Sequence, residues 1–352
     1  MSAARTLLRW YDDNRRRLPW RTLPGTRPDP YHVWLSEVML QQTTPVVVER
    51  YFARFLDRFP SVALLAAASE AEVLTLWAGL GYYARARNLH RAAKLVASRG
   101  FLPRDPAELA RLPGIGAYMA AAIAAIAFDA PCVPVDANVA RVLARRHRVL
   151  APLPGAMREI RSHATHFARD PAVIARPGDF AQALFDLGAL ICRPTDPDCK
   201  RCPWQKGCSG RAAGIAATLP RKVPKQPRPQ RYGAHFWLTD AAGQVLLRRR
   251  PSVGLLGGMT ELPGTEWCAK PLSRRAALAA APIEAAWRHA GVVRHGFTHF
   301  VLDITLYAAS VPVITAPGFL RPKNRLAAEA LPSVMRKCCD LAARATAGRL
   351  AA

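Results

Sequence analysis

The stretch Pro106–Phe128, PAELARLPGIGAYMAAAIAAIAF, decides how the first half of this chain folds. Apolar and small residues run on either side of Pro113-Gly114-Ile115-Gly116, which reads as helix, tight turn, helix over about 106–128. Glycines at alternate positions permit positive φ and close approach of another backbone. The second helix starts directly after Gly116, so its unpaired N–H groups and the positive end of its dipole face whatever docks at Gly114, Ile115 and Gly116. An anion such as a phosphate suits that place. A plain helical hairpin accounts for the same residues, because a lone GxG pair is weakly specific.

Helical spacing of apolar residues extends outward, in VERYFARFLDRF (48–59), EVLTLWAGL (72–80) and NLHRAAKLVAS (88–98). The chain is therefore expected to be mainly α-helical from residue 1 to 209. From Gly210 to Gly233 the sequence carries six Lys/Arg, four prolines and no acid, which predicts an extended basic linker over 210–231. Beyond it the period approaches two. YGAHFWLT (232–239) and QVLLRRR (244–250) flank DAAG as a hairpin signal, and Phe300, Leu302, Ile304 and Leu306 alternate as a half-buried strand requires. The segment 275–291 is expected to be helical up to Pro282 and again after it. A smaller α+β domain over 232–340 follows, with a tail at 341–352.

Two carboxylates stand in unusual settings. In HVWLSEVMLQQTTP (32–45), Glu37 shares a helical face with Val33, Trp34 and Leu40. A carboxylate there is costly unless it is paired, hydrogen-bonded or protonated. One reading is a buried ion pair with an arginine; the other is a general acid whose pKa is raised by desolvation. In CVPVDANVARVLARRH (132–147), Asp136 precedes a helix with apolar Val139, Val142 and Leu143, an N-cap position whose dipole favours the ionised form.

The 352 residues include 50 Lys+Arg against 25 Asp+Glu, a formal charge of +25 that suits a polyanionic partner. At 51% apolar the chain is not a disordered polymer. No apolar run approaches the ~20 residues of a membrane helix, and the start MSAARTLLRWYDDNRRRLPW has no apolar signal region. A soluble cytoplasmic protein associated with the nucleoid is expected, with no membrane role and with reduced thiols. Its eight cysteines then need a reason other than disulfides. CRPTDPDCKRCPWQKGC places Cys192, Cys199, Cys202 and Cys208 with six, two and five residues between them, so one loop can wrap a metal centre with four thiolates. The donor set leaves zinc and a four-iron cluster both open. Cys132, Cys268, Cys338 and Cys339 lack such spacing and are expected to be packing residues or free thiols.

The cysteine spacing is similar to that of the endonuclease III family of helical DNA glycosylases, whose loop holds a 4Fe-4S cluster, and LPGIG resembles the helix-hairpin-helix of the same superfamily. WLSEVMLQQT, LWAGLGYYARARNL, LPGIGAYMAAAI, VDANVARVLAR and DLGALIC, in that order before the cysteine loop, resemble the adenine-specific mismatch DNA glycosylases of the MutY family. The resemblance implies a helical glycosylase domain (1–209) followed by a Nudix-like lesion-recognition domain. It implies hydrolysis of adenine from a mispair with 8-oxoguanine or guanine in double-stranded DNA, by a monomer. Glu37 would protonate adenine N7, Asp136 would stabilise or transiently bond the sugar C1′, and Asn138 would position Asp136. Tyr118 stands where bifunctional relatives carry the Schiff-base lysine, so strand cleavage should be inefficient. Trp20, Arg21 and Gln182 would line the adenine pocket, although RTLPGTRPDP (21–30) is longer than the family segment. Gln42, Thr43, Leu80 and Tyr82 would wedge into the duplex around the flipped base.

RRRPSVGLLGGMTELPG (248–264) resembles the Nudix glycine-rich turn. Magnesium-dependent hydrolysis needs clustered glutamates, yet SRRAALAAAPIEAAW (273–287) offers only Glu284, which implies recognition without hydrolysis. In GFTHF, Phe297, Thr298 and His299 stand where the family has Phe-Ser-His as its lesion-reading triplet; an ordinary strand-end turn is the plainer reading. Two further functions are weighed against the adenine glycosylase: an endonuclease III-type glycosylase and lyase for oxidised pyrimidines, disfavoured by Tyr118 and the extra domain, and a catalytically silent iron–sulfur DNA-binding protein.

Overall fold

Short polar side chains start many of the helices. Ser2, Asp29, Ser61, Asp105 and Asp136 each accept a backbone N–H of the helix that follows, replacing a partner that the first turn lacks. The computed structural model describes residues 2–23, 26–224, 226–251 and 254–347. In chain order the helices are α1 (Ala3–Asn14), α2 (Pro30–Leu40), α3 (Pro45–Arg58), α4 (Val62–Ala67), α5 (Glu70–Trp77), α6 (Ala84–Arg99) and α7 (Pro106–Leu109). They continue as α8 (Ala117–Phe128), α9 (Ala137–Arg146), α10 (Met157–Phe167), α11 (Pro171–Ala175), α12 (Pro177–Asp186) and α13 (Ser209–Ala212). None is long and apolar enough to cross a membrane.

The chain divides into two units, one of Met1–Ala68 and Asn88–Lys225, the other of Ser69–Arg87 and Gln226–Ala352. The stretch expected as an extended linker is therefore only partly that. Its first part turns through α13 and a short 3-10 turn, and Leu219 is buried, with its carbonyl accepting Arg145 Nε at 2.9 Å. Ile215, Ala216 and Leu219 are apolar enough to pull these residues onto the helical unit, which the count of prolines and charges obscured.

In the first unit α8 packs against both α2 and α12. It is apolar on every side, so it can only be a central helix. Gly114 ahead of it takes φ +80, and a Cβ there would stand 2.6 Å from the Asn88 Cβ, so only glycine fits. Gly116 differs from expectation. It is extended, with open space around it, and serves as the N-cap of α8. A second core joins α1, α9, α10 and α12 through Leu7, Leu143, Ile160 and Phe180. After α12 the backbone widens into a π-helical turn, Leu187–Ile191, which leads straight into Cys192.

The second unit is built on a mixed sheet: β1 (Gln230–Thr239), β2 (Gln244–Arg249), β3 (Thr260–Glu261), β4 (Arg288–Gly296), β5 (Val301–Ser310) and β6 (Phe319–Pro322). The order is β3-β2-β1-β5-β4, with β6 also paired to β2; β1 and β5 are parallel and the other pairs antiparallel. The DAAG hairpin joins β1 to β2. Leu302, Ile304 and Leu306 point into the core beneath α15 (Ser333–Ala347), as the alternation of β5 required. α14 (Arg274–Leu278) is shorter than expected and no second helix follows Pro282; the chain enters β4 instead, where Val292, Val293 and the β-branched partners of β5 favour pairing. α15 runs through residue 341, so the expected tail begins inside a helix whose Cys338 and Ala342 are buried; residues 348–352 lie outside the described ones.

Candidate active site

One cavity of about 820 Å3 in the helical unit gathers Trp20, Arg21, Glu37, Gln42, Thr43, Tyr118, Asp136, Asn138 and Gln182. These nine, from distant parts of the sequence, are residues singled out by pattern and resemblance, and the long segment after Arg21 does not displace Trp20 or Arg21 from the cavity. Trp20 is buried edge-on against Phe52 at 5.5 Å, and Gln182 is anchored by its own helix through Gly178 O at 3.2 Å.

Glu37 sits on α2, which is buried along most of its length. Its carboxylate is buried, and among the described residues it has no ion pair with an arginine. Instead the Tyr118 hydroxyl donates to Glu37 Oε2 at 2.8 Å. Burial pushes the carboxyl from an ordinary 4.5 up to about 7; the charge of Asp136 adds to the rise, while the Tyr118 hydrogen bond and Arg21 oppose it. The Tyr118 phenol, two residues into α8, is itself raised well above its ordinary range by burial and by the two carboxylates. A buried phenol held neutral in this way is a hydrogen-bond donor and a poor nucleophile.

Asp136 performs the expected N-cap. Its Oδ1 accepts the Val139 N–H at 2.7 Å, and its Oδ2 accepts Asn138 Nδ2 at 3.0 Å. Burial raises its carboxyl, contrary to the expectation drawn from the helix dipole alone, while the Val139 and Asn138 donors and the charge of Arg141 pull the other way. Asn138 is fixed in turn, because its Oδ1 accepts Arg141 Nη2 at 2.9 Å. Arg141 also donates to Gly188 O and Cys192 O, each at 2.8 Å. Gly188 is needed for this approach, since a Cβ there would lie 2.8 Å from the Asn138 Cβ.

Sequence reading missed Asp186, Arg16 and Arg141. Asp186 is fully buried and accepts from both Arg16 and Arg21. The signal was available in ALFDLGALI (183–191), an acid inside an apolar stretch, the same pattern that singled out Glu37.

The four loop cysteines lie near enough for their charges to interact. The thiols of Cys192, Cys199 and Cys202 are raised by burial first, and each also feels the charges of other loop cysteines, Cys208 included. Arg145 Nη1 donates to Cys192 Sγ at 3.4 Å and to Arg193 O at 2.6 Å, and its Nη2 donates to Pro194 O at 2.9 Å. Four thiols facing guanidinium groups form a donor set that suits a soft, anionic thiolate centre. Among the described residues, no three His, Cys, Asp or Glu side chains are gathered closely enough to hold a single ion as placed.

Of the residues expected to bind duplex DNA, Gly114, Ile115 and Gly116 form the turn before α8, with Ile115 buried. Leu80 departs from expectation: it is buried, 5% exposed, because the turn after Trp77 folds it inward. Tyr82 projects, 52% exposed, at φ +49, and Gln42 lies at φ +58, two strained non-glycine positions of the kind that gather at working sites. Within the second unit Phe297 closes the β4–β5 turn by donating its N–H to Phe300 O at 2.8 Å, and its ring packs on Trp267 and Phe300. Thr298 and His299 are exposed, and Thr298 Oγ1 lies 3.3 Å from the Tyr82 hydroxyl. α14, where a Nudix hydrolase needs acids, reads RRAAL.

A family described as HhH-GPD superfamily base excision DNA repair protein matches residues 35–164, and the NUDIX domain matches residues 234–341. The adenine DNA glycosylase of Homo sapiens is 35% identical over 374 residues, covering 89% of this chain and 68% of that protein. The adenine DNA glycosylase of Mycolicibacterium smegmatis is 40% identical over 222 residues, covering 62% of this chain and 73% of that one. A solved endonuclease III–DNA covalent intermediate superposes with a TM-score of 0.50 at 20% identity, covering 60% of this chain and 95% of that chain. That likeness concerns the fold.

Proposed function

We propose, for a chain that belongs to the adenine DNA glycosylase family, that it removes adenine opposite 8-oxoguanine or guanine by hydrolysis alone, with Glu37 as acid and Asp136 as the charge beneath the sugar. The observation that carries this reading is the lodging of Glu37: buried, hydrogen-bonded to Tyr118, its carboxyl pushed up to about 7 by burial, and lining one cavity with Asp136.

An extruded adenine enters between Trp20, Arg21 and Gln182. Glu37 gives its proton to N7, the electrons of the C1′–N9 bond leave with the base, and an oxocarbenium-like sugar remains. Asp136 faces that cation with a carboxylate whose oxygens are each held by a donor, Val139 N–H and Asn138. Water adds to C1′, and the ionised Glu37 takes its proton. Tyr118 orients Glu37 and offers no amine, so no Schiff base forms and strand cleavage is inefficient.

DNA is held by the +25 chain through the Gly114–Gly116 turn and the start of α8, with Gln42, Thr43 and Tyr82 at the distorted pair. Leu80 joins them only if the turn around it opens. Phe297, Thr298 and His299 read the opposite base, the Nudix-like unit acting as a reader and not as a hydrolase. Cys192, Cys199, Cys202 and Cys208 would hold a 4Fe-4S cluster, whose bonds to four thiolates would tie the loop together. Arg141 and Arg145 hold the carbonyls around it. The protein works as a monomer wherever the genome lies, which in a bacterial cell is the nucleoid in the cytoplasm.

The test is a duplex with a single adenine opposite 8-oxoguanine, scored before and after alkali. Adenine loss with breaks only after alkali supports the reading. Breaks without alkali indicate a lyase, and no adenine loss indicates a silent binder.

A further inference from the structure

Asp186 ends α12 with a fully buried carboxylate that does not itself line the cavity. It accepts four hydrogen bonds: from the Arg16 backbone N at 2.9 Å and Nε at 2.6 Å, and from Arg21 Nη1 at 2.7 Å and Nη2 at 2.9 Å. Both arginines line the cavity that holds Glu37. One carboxylate among two guanidiniums leaves a net positive charge in a buried place. For stability alone, apolar groups of the same volume serve as well or better. The fork-to-fork geometry fixes the plane of Arg21, which a point charge on a flexible stem does not do.

We propose that Asp186 is a positioning residue: it aims Arg21 and Arg16 at the purine and partly offsets their charge where Glu37 must keep a proton. The proposal rests on reading the cavity as the adenine site. Of the five N–H donors of Arg21, Asp186 takes two and Arg16 O, at 3.4 Å, takes a third. No protein partner takes the others among the described residues, and Arg21 lines the cavity, which leaves them for the base. The groups that bear on Glu37 are Tyr118 from α8, Asp136 from the start of α9, and Arg21 from the segment before α2. Arg21 opposes the upward push on Glu37. Removing the negative charge of Asp186 leaves Arg21 less offset, so Glu37 should lose its proton at lower pH.

The experiment is single-turnover adenine excision by the full chain from pH 5.5 to 9, with duplex binding measured in parallel. Asp186→Asn should slow excision by on the order of tenfold or more, because misaimed groups lose near-attack geometry. Its alkaline limb should move to lower pH by roughly half a unit, with binding kept within a few-fold. Arg21→Lys keeps a charge but loses the fork, and Asp186→Asn combined with Arg21→Lys should be no slower than the slower single variant, since the two act as one unit. Losses that multiply, or an unmoved alkaline limb in Asp186→Asn, overturn the proposal. Should Asp186→Asn not fold, Asp186→Glu replaces it: slower excision with the wild-type limb, non-additive with Arg21→Lys, supports the proposal, and additive losses refute it. Wild-type protein that fails to release adenine refutes the functional reading instead, which separates the two failures.

Discussion

Replacing Glu37 by Gln tests the catalytic reading through stability as well as rate. The buried carboxyl titrates at about 7 against an ordinary 4.5. A folded-state pKa above the unfolded value means that the folded form favours the proton. The stabilising effect is complete below pH 4.5 and is lost as pH rises through 7. The gap of about 2.5 corresponds to roughly 3 kcal/mol between the two ends of that window, an upper figure because a buried group can relax or take up water. Glutamine keeps the shape, accepts the Tyr118 hydroxyl through its carbonyl oxygen, and does not titrate. Glu37→Gln should therefore match wild type near pH 4 and exceed it in urea midpoint near pH 8.5, while excision falls to background and mismatch binding stays within a few-fold. A residue kept for structure gives the reverse result. If the variant is less stable than wild type at pH 8.5, or loses duplex binding along with excision, Glu37 is structural and the reasoning fails.

Three further outcomes follow from the same geometry. Tyr118→Phe removes the hydrogen bond that favours ionised Glu37, so the alkaline limb of excision should shift to higher pH, measured by single-turnover rates, with strand cleavage still negligible. Thr298→Ala removes the exposed hydroxyl next to Tyr82 and should mainly erode the preference for 8-oxoguanine over guanine across from adenine, read as the ratio of the two rates; unchanged discrimination removes the reader assignment. Arg145→Met strips donors from Leu219 O, Arg193 O and Pro194 O. It should destabilise the chain by about 3 kcal/mol or more and lower iron content per chain, checked by urea titration and iron assay.

Much of this was legible in the sequence because the deciding signals are local. Gly114 must be glycine for steric reasons, Asp136 caps the helix that its own sequence announces, and β5 shows its buried side by alternation. The failures share a cause, namely that they depend on partners distant in the chain. Leu219 looked like part of a solvated linker until Arg145, 74 residues earlier, bonded its carbonyl. Leu80 stands two residues before the exposed Tyr82, yet the turn after Trp77 buries it. The segment after Pro282 has helix-forming alanines, but pairing with β5 outweighs propensity. Asp186 was visible as an acid among apolar residues, although nothing local tells that its partners are Arg16 and Arg21. Cys338 and Cys339, expected as packing residues or free thiols because their spacing matched no ligand set, are buried in the core on α15.

The helix dipole alone is too weak to divide the work between the two acids. Both are buried and both are pushed upward, so the direction of that push does not by itself separate them. The difference lies in the donors. Glu37 has one neutral hydroxyl as its donor, which together with the charge of Arg21 does not outweigh burial, so the protonated form stays competitive near pH 7. Asp136 has an N–H on one oxygen, an amide on the other, and the charge of Arg141 close behind, all of which favour the anion. That set is not self-supporting. Asn138 points its amide at Asp136 because Arg141 holds its oxygen, and Arg141 is aimed by the carbonyls of Gly188 and Cys192. The cysteine loop therefore reaches the Asp136 carboxylate through three hydrogen bonds without lining the cavity. Loosening that loop should raise the proton affinity of Asp136 before it alters Glu37, and a chain with both acids protonated has no charge left to offer the sugar cation.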